Sequence, residues 1–235
     1  MKKILTLIIT CFLSLSLAGC SNSKNNDDIL TFFDALGNTL NLKSAQISGT
    51  LDMKDSKLNI DAQILQKDEL QVSSSISLVA GKNVQNNFLN FYIKDGKTYL
   101  NSMGTKTQST VDKIGLKKNS KLNTYNPFLD LTDAQLCELF DSSKKENDTY
   151  TFKVNTSKLA TLLDNMGSIK LEDATLVATI KNEKISHMIL SFTGTQTVDD
   201  ASANIDVSIE LSIKKLNKIN FPNDLDNYKN ETAED

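Results

Sequence analysis

Residues 203–215 read ANIDVSIELSIKK. Ile205, Val207, Ile209, Leu211 and Ile213 alternate with Asp206, Ser208, Glu210, Ser212 and Lys214. Successive side chains of a strand point to opposite sides, so this period of two describes a strand with one dry and one wet face. The pattern recurs upstream. Ile47, Gly49, Leu51 and Met53 alternate with polar residues over 45–54, Leu58, Ile60, Ala62 and Ile64 over 57–64, and Leu70, Val72, Ile76 and Leu78 over 70–78. The short polar connections at Asp55-Ser56 and Lys67-Asp68 make these strands antiparallel neighbours. A hairpin is predicted over Phe88–Leu100, turning at Asp95-Gly96. Further strands are predicted over 149–154, 168–181 and 184–195, with Asn182-Glu183 as a two-residue turn.

Three segments carry helical spacing instead. Ile29, Phe32, Phe33, Leu36 and Leu40 fall on one face of a helix over 28–40, with Asn26, Asp27 or Asp28 as its cap. Residues 104–130 are polar, with a short helix near 110–114 and a break at Asn126-Pro127. Thr132-Asp133-Ala134-Gln135 has the form of a capping box, with Leu131 and Leu136 placed for a hydrophobic staple. Leu136, Leu139 and Phe140 form the stripe of that second helix. A third is predicted over 157–166, with Leu159, Leu162, Leu163 and Met166 on one side and Gly167 as its stop.

No Pro/Gly-rich linker divides the pattern, so residues 28–222 are expected to form one domain. Residues 223–235 are acidic and polar and are expected to be a loose tail. A sheet that is apolar on one side must cover that side, and the three helices are the material for it. The expected fold is α+β: a curved, mostly antiparallel open barrel of about eight or nine strands, with three helices on its concave face.

The N-terminus has a different logic. Met1-Lys2-Lys3 is basic, residues 4–17 are an apolar run, and Leu17-Ala18-Gly19-Cys20 places small residues before a cysteine. This is the order of a secretory signal, and the run of about 14 residues is short for a span that needs about 20. Leu-Ala-Gly-Cys resembles the lipobox of bacterial lipoproteins. The resemblance implies removal of residues 1–19 and a diacylglyceryl group on the sulfur of Cys20. It also implies a protein held on the extracytoplasmic face of the cell membrane, with residues 20–27 as a flexible tether. Two acyl chains hold durably where one holds marginally.

The remaining charge and composition exclude several functions. With Lys2 and Lys3 removed, 24 lysines face 29 carboxylates, a net charge of about −5, and every basic residue is lysine. An acidic chain with no Arg and no Trp is a poor partner for nucleic acid. Of three cysteines, Cys11 leaves with the signal and Cys20 carries lipid, so Cys137 has no internal partner. It reads as a small buried hydrophobe. His187, the single histidine, lies inside a predicted strand, where a structural role outweighs that of a catalytic base. One His and one free Cys do not make a zinc site. Asp199-Asp200 and Asp224-Leu225-Asp226 lack the ligand spacing of a calcium loop. No phosphate loop, catalytic residue, metal or cofactor is expected, and the chain does not read as an enzyme.

The order of strands and helices resembles the half-barrel lipoproteins of the LolA/LppX–LprG type. Residues 44–50, SAQISGT, look like the opening strand of such proteins, and residues 92–100, YIKDGKTYL, like their hairpin. The resemblance implies acyl chains or lipopeptides held between sheet and helices. Phe33, Leu36, Leu51, Ile60, Ile76, Leu139, Leu162 and Ile209 are the expected lining. Phe32, Phe140, Phe152 and Phe192 could join it. A groove and a filled core need the same residue types, so two expectations stand side by side. One is a carrier of a lipid or other apolar ligand; the other is a solid module that binds an envelope protein.

Overall fold

The computed structural model describes residues 24–158, 169–198 and 201–230. The predicted leader, Cys20 and most of the third predicted helix, Leu162 included, lie outside the described residues. The elements are α1 (Asn26–Leu40), β1 (Ser44–Met53), β2 (Ser56–Gln66), β3 (Leu70–Ala80), β4 (Asn83–Lys94), β5 (Lys97–Ser102) and β6 (Thr105–Thr110). There follow 3₁₀ turns at Val111–Ile114 and Leu122–Tyr125, then α2 (Asp133–Glu138), β7 (Phe140–Glu146), β8 (Thr149–Val154), β9 (Ile169–Lys181), β10 (Lys184–Val198) and β11 (Ala201–Lys214). A 3₁₀ turn at Leu225–Asn227 and β12 (Lys229–Asn230) end the described chain.

The strands form one 12-stranded sheet in the order β12-β6-β5-β4-β3-β2-β1-β11-β10-β9-β8-β7. β1 to β6 run outward to one edge. The chain then crosses to the opposite edge and returns through β7 to β11, which pairs with β1 from Gln46↔Lys214 to Met53↔Val207. All neighbours are antiparallel except β12 on β6. The sheet is open, as expected, but has twelve strands instead of eight or nine. The additions are β6 (TKTQST), β7 (FDSSKKE) and the two-residue β12. None alternates apolar with polar residues, so none carries the pattern of a half-buried strand.

Turn chemistry explains the hairpins. Asp95 and Gly96 have φ of 54° and 76°, and Asn182 and Glu183 have 50° and 60°. Two consecutive left-handed residues are what a type I′ turn requires, and its twist matches that of the flanking strands. Gly49 has a separate reason. A Cβ there would lie 1.9 Å from the carbonyl oxygen of Glu210, so only glycine lets β1 approach β11 this closely.

Among the described residues two α-helices contribute to the roof, and the third predicted helix lies almost wholly outside them. α1 is capped by Asn25, whose side chain accepts from the Asp27 N–H at 3.1 Å. It buries Ile29, Phe32, Phe33 and Ala35, and these pack on residues of β7 to β10. α2 forms the expected capping box, with the Thr132 N–H donating to Gln135 Oε1 at 2.9 Å. It ends at Glu138 because Phe140 already belongs to β7. Over β2 to β5 the roof is not helical. The segment after β6 has a left-handed Gly115 and breaks at Asn126-Pro127, so it makes only 3₁₀ turns. It places Val111, Leu116 and Leu122 over Ile64, Leu70, Val72, Phe91 and Ile93.

Gln66 joins the two roofs. It is 4 % exposed. Its amide donates to the carbonyls of Leu40 and Leu42 at 2.7 Å each, and its Oε1 accepts from the Leu122 N–H at 2.8 Å. Buried polar groups are tolerated when paired in this way.

The expected loose tail is a strap over its first part. Phe221, Leu225 and Tyr228 pack on Tyr92 and Tyr99, on the side of β4 and β5 opposite Phe91 and Ile93. Tyr228 meets Tyr99 edge-on at 5.6 Å, and Lys106 pairs with Asp224. The polar composition hid two apolar anchors that need only one exposed aromatic pair to dock on. Burial, with Tyr92 and Asp224 nearby, pushes the Tyr228 hydroxyl up to about 12, above the ordinary 10 of tyrosine. The folded state therefore holds its phenolic proton more tightly than the unfolded one. Stability is intact below about pH 10 and falls as pH rises towards 12. Thermal melts across this range should show a falling Tm for the natural chain and a flatter profile for Tyr228→Phe, which keeps the ring and removes the proton.

Candidate functional site

Cross-strand partners point to the same side, so the register assigns the faces. One row runs Phe152, Leu176, Leu190, Ile209, Leu51, Leu58, Leu78, crossing β8, β9, β10, β11, β1, β2 and β3. The next runs Tyr150, Ala178, Met188, Leu211, Gly49, Ile60, Ile76, Leu89. The apolar sides of the strands thus converge on a single continuous surface from β8 to β4.

Cover on that surface is uneven. At the β7–β10 end it is filled by interlocked rings. Phe140 and Phe152 lie 4.8 Å apart, Phe32 and Phe152 5.3 Å, and Phe33 meets Phe140 at 5.8 Å and Phe128 at 5.2 Å. Phe152 is completely buried. At the β2–β5 end Leu70 and Ile93 are likewise buried, under the 3₁₀ turns. Between these two cores, and towards the Met53 end of the strands, the rows are half-buried. Leu51, Leu58, Ile60, Ile76, Leu78, Val207 and Ile209 all remain partly open, and Met53 is 38 % exposed.

The expected lining residues divide along this line. Leu51, Ile60, Ile76 and Ile209 come together on four adjacent strands in the half-open rows. Phe33 and Leu139 are buried in the filled core, and Leu36 packs against it. Phe32, Phe140 and Phe152 belong to the same core, with Phe192 packed at its margin. Leu58, Leu78 and Val207 share the half-open rows without having been singled out. Alternation puts them on the dry face of their strands, and the register adds that Leu58 and Leu78 adjoin Leu51, with Val207 in the next row beside Met53.

The polar groups sit elsewhere. His187 faces away from Met188 and Leu190 and pairs with Glu210 at 2.9 Å. Cys137 is buried on α2, and burial pushes its thiol above the ordinary range, which disfavours the reactive thiolate. Among the described residues no cluster of His, Cys, Asp and Glu could hold a metal ion. No helix among them is long and apolar enough to cross a membrane. A cleft of about 680 Å³ lies at the Met53 end of the sheet, lined by Asp52, Thr193, Asn204, Asp206 and Ser208 of the polar side together with Met53, Lys54, Glu172 and Ile205.

No family model matches the chain, and no curated protein matches it. Similar solved structures include the following three. LprF from Mycobacterium bovis superposes with a TM-score of 0.45 and 11 % identity, covering 86 % of this chain and 98 % of that one. An outer membrane lipoprotein-sorting protein domain from Vibrio parahaemolyticus gives 0.31 and 9 % over 86 % and 98 %. A porin-like protein from Bacteroides uniformis gives 0.26 and 8 % over 75 % and 98 %. At these scores and identities the likeness carries no weight for function, and the reading below rests on the geometry of this chain.

Truncation should distinguish the two kinds of position. Phe152→Ala, in the ring cluster, is expected to lower stability by about 3–5 kcal/mol, the usual range for emptying a packed aromatic site. Leu51→Ala or Ile60→Ala, in the half-open rows, should cost only about 1 kcal/mol, since less contact is lost. Urea unfolding midpoints measure both. Equal costs would mean that the rows are packed as tightly as the core.

Proposed function

We propose that this chain is a membrane-tethered, non-enzymatic lipoprotein that binds a lipid or other apolar ligand along the half-open rows of its sheet. The observation that carries the reading is the set Leu51, Ile60, Ile76 and Ile209. These four aliphatic residues adjoin one another on β1, β2, β3 and β11, and remain part-open between two filled cores. Aliphatic rows suit acyl chains. Exposing a 16-carbon chain to water costs on the order of 12 kcal/mol, at about 0.8 per CH₂, so a carrier must offer comparable apolar cover. The filled ring cluster under α1 supports a second reading, in which the core is only structural and the module binds an envelope protein through its outer face.

A fluorescent fatty acid, dansylundecanoic acid, tests the choice. The full chain should bind it saturably. Leu51→Asp and Ile209→Asp should each weaken binding about tenfold or more, because a buried charge opposes an acyl chain. Ser208→Asp, on the other side of β11, should leave it unchanged. Absence of saturable binding, or indifference to the aspartates, would favour the interaction module.

The tether is read from residues 1–20 and has its own test. Intact-mass measurement of the membrane-extracted protein should show residues 1–19 removed and a diacylglyceryl group on Cys20. Cys20→Ser should give an unlipidated chain released from the membrane.

A further inference from the structure

Charge is unevenly distributed over the two ends of the sheet. The register brings the β2–β3, β4–β5, β7–β8 and β9–β10 turns to one end. They carry Lys67, Lys94, Lys97, Lys145, Lys181 and Lys184. The 117–121 segment packs at the same end, where the Leu70 N–H donates to the Lys118 carbonyl at 2.8 Å. Lys121 is held there by hydrogen bonds from its Nζ to the carbonyls of Gln66 and Lys67, at 2.6 and 2.5 Å. Carbonyls orient that ammonium without neutralising it. Of the carboxylates on these turns, Glu69 is paired with Lys118 at 3.0 Å and Glu146 with Lys144 at 2.7 Å, which leaves Asp68, Asp95, Asp148 and Glu183 against Lys121 and the six lysines of the turns. The other end holds the cleft lined by Asp52, Glu172 and Asp206 together with Lys54, where Asp52 is paired with Lys57 at 3.1 Å. A chain of net charge −3 thus has one basic end.

We propose that this lysine-rich end rests on a bilayer surface bearing anionic headgroups. The shape of the array favours a flat partner. From β4 to β10 there are five strand steps in the sheet order, roughly 24 Å at about 4.8 Å each, and the lysines sit on turns spread across that width. Lysine is a point charge on a flexible stem, suited to mobile headgroups, where arginine would favour fixed bidentate partners. In this orientation the Met53 end of the half-open rows is the end remote from the supporting surface. The proposal does not depend on a ligand occupying them.

The chain contains no tryptophan, so single introduced tryptophans report position. Asn119→Trp marks the lysine-rich end and Asn86→Trp the region towards the other. The full chain is reconstituted into vesicles of phosphatidylcholine with a minority of phosphatidylglycerol and a lipid carrying a nitroxide on its headgroup. Asn119→Trp should lose emission and Asn86→Trp should keep it. The loss should be reversed by high salt, by omitting phosphatidylglycerol, or by adding Lys94→Glu and Lys184→Glu. Quenching at neither site, at both equally, or chiefly at Asn86→Trp would overturn the proposal. So would a loss at Asn119→Trp that survives removal of the anionic lipid.

Discussion

Everything in this structure depends on a mismatch of widths. Antiparallel pairing of strands with a period of two forces their apolar side chains onto one face, which runs through the eight strands from β8 to β4. At about 4.8 Å per strand step that face is roughly 34 Å wide. The longest described helix, α1, has 15 residues, which at about 1.5 Å per residue spans roughly 22 Å. One helix of that length cannot roof such a face. The six residues of α2 and the 3₁₀ turns extend the cover, and the Met53 end of the central strands remains part-open.

Stability and binding then fall to different parts of one surface. The β7–β10 end is closed by interlocked rings, Phe32 meeting Phe33 and Phe140 edge-on and the other phenylalanine pairs tilted, an arrangement that fixes a particular packing. The β2–β5 end is closed by aliphatic side chains under an irregular segment, latched to α1 through the three hydrogen bonds of Gln66. Neither has room to exchange its contents without unfolding. The aliphatic rows between them are anchored on both sides and can take up an apolar guest while the flanking cores stay intact. The strap of Phe221, Leu225 and Tyr228 completes the other face and covers part of the β6 edge, which would otherwise present unpaired backbone groups.

Much of this was legible in the sequence, and what escaped did so for physical reasons. Alternation revealed β1, β2, β3 and β11, because one face of each is dry. Asp95-Gly96 and Asn182 announced their turns through residues that tolerate a left-handed backbone, which Glu183 adopts because the two-residue turn demands it. The capping box at Thr132 and Gln135 was visible, but the length of its helix was not, since Phe140 suits a helical stripe and a strand equally well. β6 and β7 have no apolar period and are strands only because β5 and β8 offer them hydrogen bonds. The strap was hidden because Leu225 and Tyr228 stand alone among polar residues. Of the expected lining, Leu51, Ile60, Ile76 and Ile209 share the open rows, whereas Phe33 and Leu139 are spent on the core. An apolar residue reads the same in either place, and only the unequal roof separates them.

Photolabelling tests the central claim most directly. A palmitate carrying a diazirine near its methyl end, activated on the full chain and mapped by peptide mass spectrometry, should mark β1, β2, β3 and β11 around Leu51, Ile60, Ile76 and Ile209. It should leave the Phe32–Phe140–Phe152 cluster and the polar side of the sheet unmarked. Labels concentrated on that ring cluster or on the polar side would contradict the account, as would labelling that excess unmodified palmitate fails to suppress.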